Sequence, residues 1–172
     1  MQALYSIALA GLLTLLTTWM PVPVWAVTVD TVAALPGLSG MFRGTPATDL
    51  GLHNGHLAAC PTTPNCVVSQ GADPDHEIAP IPYHTDRKTA QETLLKVLTV
   101  VPRTIVTQQT EDYIRIESSS RLLGFVDDGE FYFPANAKVI HLRSAARLGE
   151  SDFGVNRRRL EQIRLALQDL GI

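Results

Sequence analysis

From Ala3 to Met20 the chain reads ALYSIALAGLLTLLTTWM, an 18-residue run without a charged side chain. A helix with no polar face cannot lie on the surface of a small domain, so this run stands apart from whatever folds after it. Pro21, Pro23 and the small-residue ending Val24-Trp25-Ala26 follow, the layout of an apolar segment ahead of a signal-cleavage site. No Lys or Arg precedes the run, which leaves the α-amino group as its only positive charge. Its length just reaches that of a bilayer span. Residues 1–26 are therefore expected to be a signal peptide or, if retained, a membrane anchor. Either outcome places the folded part outside the cytoplasm.

What remains of the 172 residues is enough for one domain with its own core and too little for two. Lys and Arg number 14 against 17 Asp and Glu, so no basic excess draws the chain onto phosphate backbones. Nucleic acid is excluded as the expected partner.

Residues 27–84 are rich in Pro, Gly, Asn, Thr and Asp and read as an irregular arm. Its last part, HEIAPIPYH from His76, admits a short edge strand, because Pro80 and Pro82 remove donors that a central strand needs. From residue 85 the pattern changes. Thr85 or Asp86 can cap a helix whose apolar positions Ala90, Leu94, Val97, Leu98 and Val101 recur at helical spacing until Pro102 stops it. TIVTQQ and YIRIESSS flank Thr110-Glu111-Asp112 and read as a hairpin. GFVDDGEFYF and KVIHLRS, parted by Pro134-Ala135-Asn136, give two more strands. A last helix is expected from Phe153 to Leu170, capped by Ser151 or Asp152, with Leu160, Ile163, Leu167 and Leu170 on its buried face. The order implies an α+β fold over residues 85–172: a four- to five-stranded, mainly antiparallel sheet with both helices packed on one face.

Three places can carry chemistry. Cys60 and Cys66 bracket CPTTPNC, and an even cysteine count in an exported chain argues first for a disulfide. His53 and His56 lie just upstream, which leaves a zinc or copper site and free thiols as alternatives. In GFVDDGEFYF, strand alternation puts Asp128 and Glu130 on one face, Cα atoms roughly 6.5 to 7 Å apart, and Asp127 on the other. Such a carboxylate pair can do acid–base work or hold a cation, or it can pair with Arg115, Arg143 and Arg147 across the sheet. The stretch from His141 to Arg164 joins a strand end to a helix start. Arg143, Ser144 and Arg147 there, with Asp152, Asn156 and Arg159 beside the helix, form either an anion site or a set of bridges tying the last helix to Asp127, Asp128 and Glu130.

The segments DLGLHNGHLAACPTTPNCVVSQ, GFVDDGEFYF and RSAARLGESDFGVNRRRLEQI resemble, in that order, the signature segments of the DUF1499 family, over roughly Asp49 to Leu167. The resemblance names no reaction. It implies a small domain of the bacterial and plastid kind, and the CPTTPNC arm is similar to the cyanobacterial type, which implies a thylakoid lumen or periplasm. The chain departs from the expected pattern at Ala145-Ala146, where a serine is expected, and at Gly129 after the paired Asp. Both departures weaken any role for a hydroxyl nucleophile.

No Walker loop, triad spacing, haem or zinc motif is present in the sequence. The expected function is a non-enzymatic accessory or binding domain, exported, without cofactor or metal. Its expected partner is a membrane or lumenal protein complex, with membrane contact only through an uncleaved leader. The competing expectation is a small-anion-binding protein or an enzyme that uses Asp128 and Glu130 with Arg143 and Arg147.

Overall fold

A computed structural model describes residues 41–172; the expected leader and the first part of the arm lie outside the described residues. Among the described residues no helix is long and apolar enough to cross a membrane.

The elements run β1 (Cys66–Val68), β2 (Ile81–Pro82), α1 (Arg87–Val100), β3 (Thr104–Gln109), β4 (Tyr113–Ser119), β5 (Val126–Tyr132), β6 (Val139–Ala146) and α2 (Val155–Asp169). The sheet is antiparallel in the order β1-β6-β5-β4-β3, and β2 joins the same edge of β6 nearer its start. Its six strands exceed the four to five expected. The extra one, β1, lies inside the arm: three residues just after a Pro-rich loop are too few for a period to register, yet all three are buried. The arm is therefore less irregular than its composition implies.

The alternation in β4 and β5 divides the sheet into two chemically different faces. Ile114, Ile116, Phe131 and Leu142 point to one side and pack with Ala90, Leu94, Val97 and Leu98 of α1 and Leu160, Ile163 and Leu167 of α2. Both helices thus cover this face, as the order of elements implied. The other side carries Tyr113, Arg115 and Glu117 opposite Asp128, Glu130 and Tyr132, with His141 and Arg143 beyond them. No helix covers it. The arm does, through a smaller apolar contact of Leu57, Val68 and Tyr113.

The helix ends follow local chemistry. Asp86 caps α1, its carboxylate accepting from the Thr89 N–H at 3.0 Å. α2 begins two residues later than the pattern implied, because Phe153 (φ 53°) and Gly154 (φ 74°) both take left-handed backbone. The cap position is Gly154 instead of Ser151 or Asp152, and Asp152 serves the helix start from two residues upstream, accepting from the N–H groups of Gly154 at 2.9 Å and Asn156 at 2.8 Å. At the other end Gly171, with φ 82°, turns the chain so that Ile172 donates back to the Leu167 carbonyl at 3.0 Å. Ile172 is thereby buried while Leu170, expected in the apolar stripe, is exposed.

Candidate functional site

Consecutive residues of a strand face opposite ways, so the paired Asp127 and Asp128 must find different partners. On the helix side, Asp127 accepts from Arg159 of α2 at 2.7 Å. Arg159 also reaches the side-chain oxygen of Asn156 at 3.0 Å, and Ser144 donates to that oxygen at 2.5 Å. Asn156, wholly buried, donates in turn to the Asn65 carbonyl at 3.3 Å. Asn65 lies within CPTTPNC, and its amide donates to the Gly149 carbonyl at 2.5 Å. This cluster is closed upon itself and fastens the arm, the β6 end and α2 together. Burial pushes the Asp127 carboxyl above its usual range, against the pull of Arg159.

The opposite side of β5 holds a larger lattice. Asp128 accepts from Arg115 at 2.8 Å and from Arg147 at 2.7 Å and 2.8 Å. Glu130 accepts from Arg143 at 3.1 Å, from the Tyr113 hydroxyl at 2.7 Å and from the Gly51 N–H of the arm at 2.7 Å. Glu117 bridges Arg147 and Arg43, both at 2.5 Å. Glu130 is 0 % exposed and Asp128 and Arg143 are each 3 % exposed. Burial drives the Asp128 carboxyl upward, but the bonds from Arg147 and Arg115 outweigh it and hold the group below its usual range. The bond to Asp128 raises Arg147 further, and burial followed by the Glu130 charge raises Tyr113, which therefore stays a donor.

The sequence expectation of one polar cluster thus separates into two. Asp127, Ser144, Asp152, Asn156 and Arg159 gather on the helix side, while Asp128, Glu130, Arg143 and Arg147 gather under the arm. The bridges from the last helix reach Asp127 alone; Asp128 and Glu130 face away from it, and their arginines come from β4, β6 and the turn after β6. Tyr113, Glu117, Arg43 and Gly51 went unrecognised. For the first two a signal existed, since alternation in YIRIESS sets Tyr113, Arg115 and Glu117 on one face. Arg43 and Gly51 come from arm residues without any period.

Between the arm and this lattice lies a pocket of about 400 Å³, a size suited to a small molecule. Thr45, Asp49 and Leu50 of the arm, the disulfide residue Cys60, and Arg143, Ala145 and Arg147 of the sheet side line it. Ala145 and Ala146 bring methyl groups where a hydroxyl would have changed the chemistry. Every carboxylate oxygen of Asp128, Glu130 and Glu117 already accepts a hydrogen bond. The buried Nε of Arg143, by contrast, has no acceptor among the described residues, and neither does that of Arg115. What the lattice leaves unfilled is donor capacity.

Cys60 and Cys66 are joined as a disulfide. The thiolates that a metal site with His53 and His56 needs are therefore not free, and no cluster of three or more candidate metal ligands occurs among the described residues.

The model of the family described as protein of unknown function (DUF1499) matches residues 56–167. The chain belongs to that family. The match includes both cysteines, the whole sheet and the paired arginines and carboxylates from Arg115 to Arg159, but it leaves out Arg43 and Gly51. No curated protein and no solved structure matches the chain.

Proposed function

We propose that this DUF1499 protein is an exported, non-catalytic binding domain that holds a small ligand with anionic oxygens, carboxylate or phosphate, in the pocket beneath its arm. The observation that carries the reading is the buried Arg143 guanidinium at the pocket wall, committed to Glu130 through Nη1 and with Nε lacking an acceptor. A buried donor without a partner costs roughly 1–3 kcal/mol, which an incoming acceptor would recover. Asp128 and Glu130, beside the pocket, are poorly suited to catalysis. A general base needs a lone pair free to take a proton, and each oxygen of Asp128 and Glu130 is already engaged by guanidinium, hydroxyl or amide donors.

Export is supported by the charge-free run ahead of the domain and by the disulfide, a bond that persists in oxidising compartments. The resemblance of the CPTTPNC arm to the cyanobacterial type favours a thylakoid lumen or periplasm, where the domain would serve a membrane or lumenal complex as an accessory.

Titrating inorganic phosphate and succinate onto the protein, followed by amide and arginine side-chain NMR, tests the reading. Saturable shifts at Arg143 Nε and at the amides of Ala145 to Arg147 are expected. Arg143→Lys keeps a cation opposite Glu130 but removes Nε–H, so it should abolish those shifts while the protein still melts cooperatively. Equal binding by Arg143→Lys, or no saturable shift with either anion, would overturn the assignment.

A further inference from the structure

At the end of the sheet where β4 turns into β5, apolar side chains stand in solvent instead of in the core. Phe153 is 87 % exposed and Leu122 66 % exposed. Leu123, Leu148 and Val155 are also exposed. Leu148, Phe153 and Val155, with Phe125, wall a groove of about 300 Å³. Phe153 holds this position in left-handed backbone, φ 53°, a conformation that a bulky residue adopts only at a cost. Leu122 sits at the tip of a tight connection closed by Ser120 and Phe125, whose backbones bond at 2.8 Å.

Guanidinium groups ring the same tips. Arg103 donates to the Ser119 carbonyl at 3.0 Å and Arg158 to the Phe153 carbonyl at 2.7 Å. Arg121 stands between Ser120 and Leu122 in the connection itself. None of the three forms an ion pair with a carboxylate among the described residues, although the lattice under the arm pairs nearly every charge it holds. Of the carboxylates in the adjoining loop, Asp152 is occupied by backbone N–H groups, which leaves Glu150 as the opposing charge.

The chain also enters the domain here. Phe42, the second described residue, packs its ring 5.0 Å from that of Phe125, and Met41 before it is exposed.

We infer that this end of the molecule docks on an anionic lipid surface, with Leu122 and Phe153 entering the interface and Arg103, Arg121 and Arg158 meeting the headgroups. Apolar tips interleaved with long cationic side chains suit that boundary, where rings and stems lie in the acyl region and charges stay in water. The inference uses none of the pocket residues and does not depend on the ligand proposed for them.

Hydrogen exchange of the full chain tests it, measured alone, with phosphatidylcholine vesicles and with phosphatidylglycerol vesicles. The charge-free leader can insert into both lipids, so the readout is confined to the amides of residues 120–125 and 148–155. Slowed exchange there with phosphatidylglycerol only is the expected result. Leu122→Ser with Phe153→Asn should abolish it; both positions are exposed, and Asn tolerates left-handed backbone. Changing Arg103, Arg121 and Arg158 to Gln should raise the lipid concentration needed by roughly 100-fold, about fivefold per charge at an anionic surface. Arg143→Lys, which alters the pocket, should leave the protection of these amides by phosphatidylglycerol as it is.

Three results would overturn the inference: no lipid-dependent protection of these amides, the same protection with phosphatidylcholine, or the same protection with inorganic phosphate alone. Protection that rises with protein concentration in the absence of lipid would assign the surface to a second copy of the chain instead.

Discussion

Gly129 occupies the centre of β5 on the helix side, and a Cβ placed there would lie 2.7 Å from Cγ1 and 2.9 Å from Cδ1 of the buried Ile116 across the strand pair. Gly129 is therefore coupled to its neighbour: Ile116 fills the space a side chain would need. Gly129→Ser should cost about 1–3 kcal/mol of stability by overpacking. Ile116→Ala in the same chain should recover a large part of it, and a double-mutant cycle by urea unfolding would show the coupling. Additive losses would mean that the clash is relieved elsewhere. Two histidines are expected to titrate in opposite directions. His76 donates from Nδ1 to Asp73 at 2.8 Å and from Nε2 to the Thr63 carbonyl at 3.2 Å, an arrangement that fits imidazolium. The bond to Asp73 and then that to Thr63 raise it above the ordinary 6.5. Burial, and then the charge of His56, lowers His141. His76 therefore contributes stability below about pH 6.5 that is lost as pH rises through its folded value. His141 contributes stability above that pH, lost as pH falls toward its own. An NMR titration should place the two on either side of 6.5, with the amides of the disulfide loop following His76.

The elements with a clear period were legible. Asp86 begins α1 and Pro102 follows its end, the β3–β4 hairpin turns where Thr110 to Asp112 stand, and the last helix carries its apolar stripe inward. β1 was not legible, because a three-residue strand owes its existence to partners in β6, Cys66 opposite Ala145 and Val68 opposite Arg143, and such pairing leaves no local pattern. The bonds around Asn156 hold this region in place from three directions, whereas the disulfide constrains only a short loop. Reducing the disulfide should therefore cost at most about 2 kcal/mol, and less because Pro61 and Pro64 already restrict the unfolded loop. Asn156→Ala should cost roughly 3 kcal/mol, since Ser144 and the Asn65 carbonyl would lose a buried partner. Urea unfolding with and without reductant ranks the two; a disulfide effect larger than that of Asn156→Ala would mean the covalent link, and not the buried amide, fastens the arm to α2.

At the scale of the molecule, a sheet with one apolar and one charged face is unstable as a single layer on its charged side, because Asp128, Glu130 and Arg143 are buried only when the arm lies over them. Alternation showed that two faces exist, but an arm without periodicity could not show that it covers one of them; that depends on Gly51 and Arg43 reaching residues more than seventy positions away. Glu117 is the hinge of this closure, because its two oxygens hold Arg147 of the lattice and Arg43 of the arm. Glu117→Gln keeps the volume and one acceptor, so the sheet should persist while the arm loosens. The local opening free energy of residues 41–51 should fall by about 1–3 kcal/mol, the cost of weakening a charge-assisted bond. Hydrogen exchange should then quicken in the arm while β5 and β6 exchange at their former rate. Equal acceleration across arm and sheet would show instead that the two open as one cooperative unit.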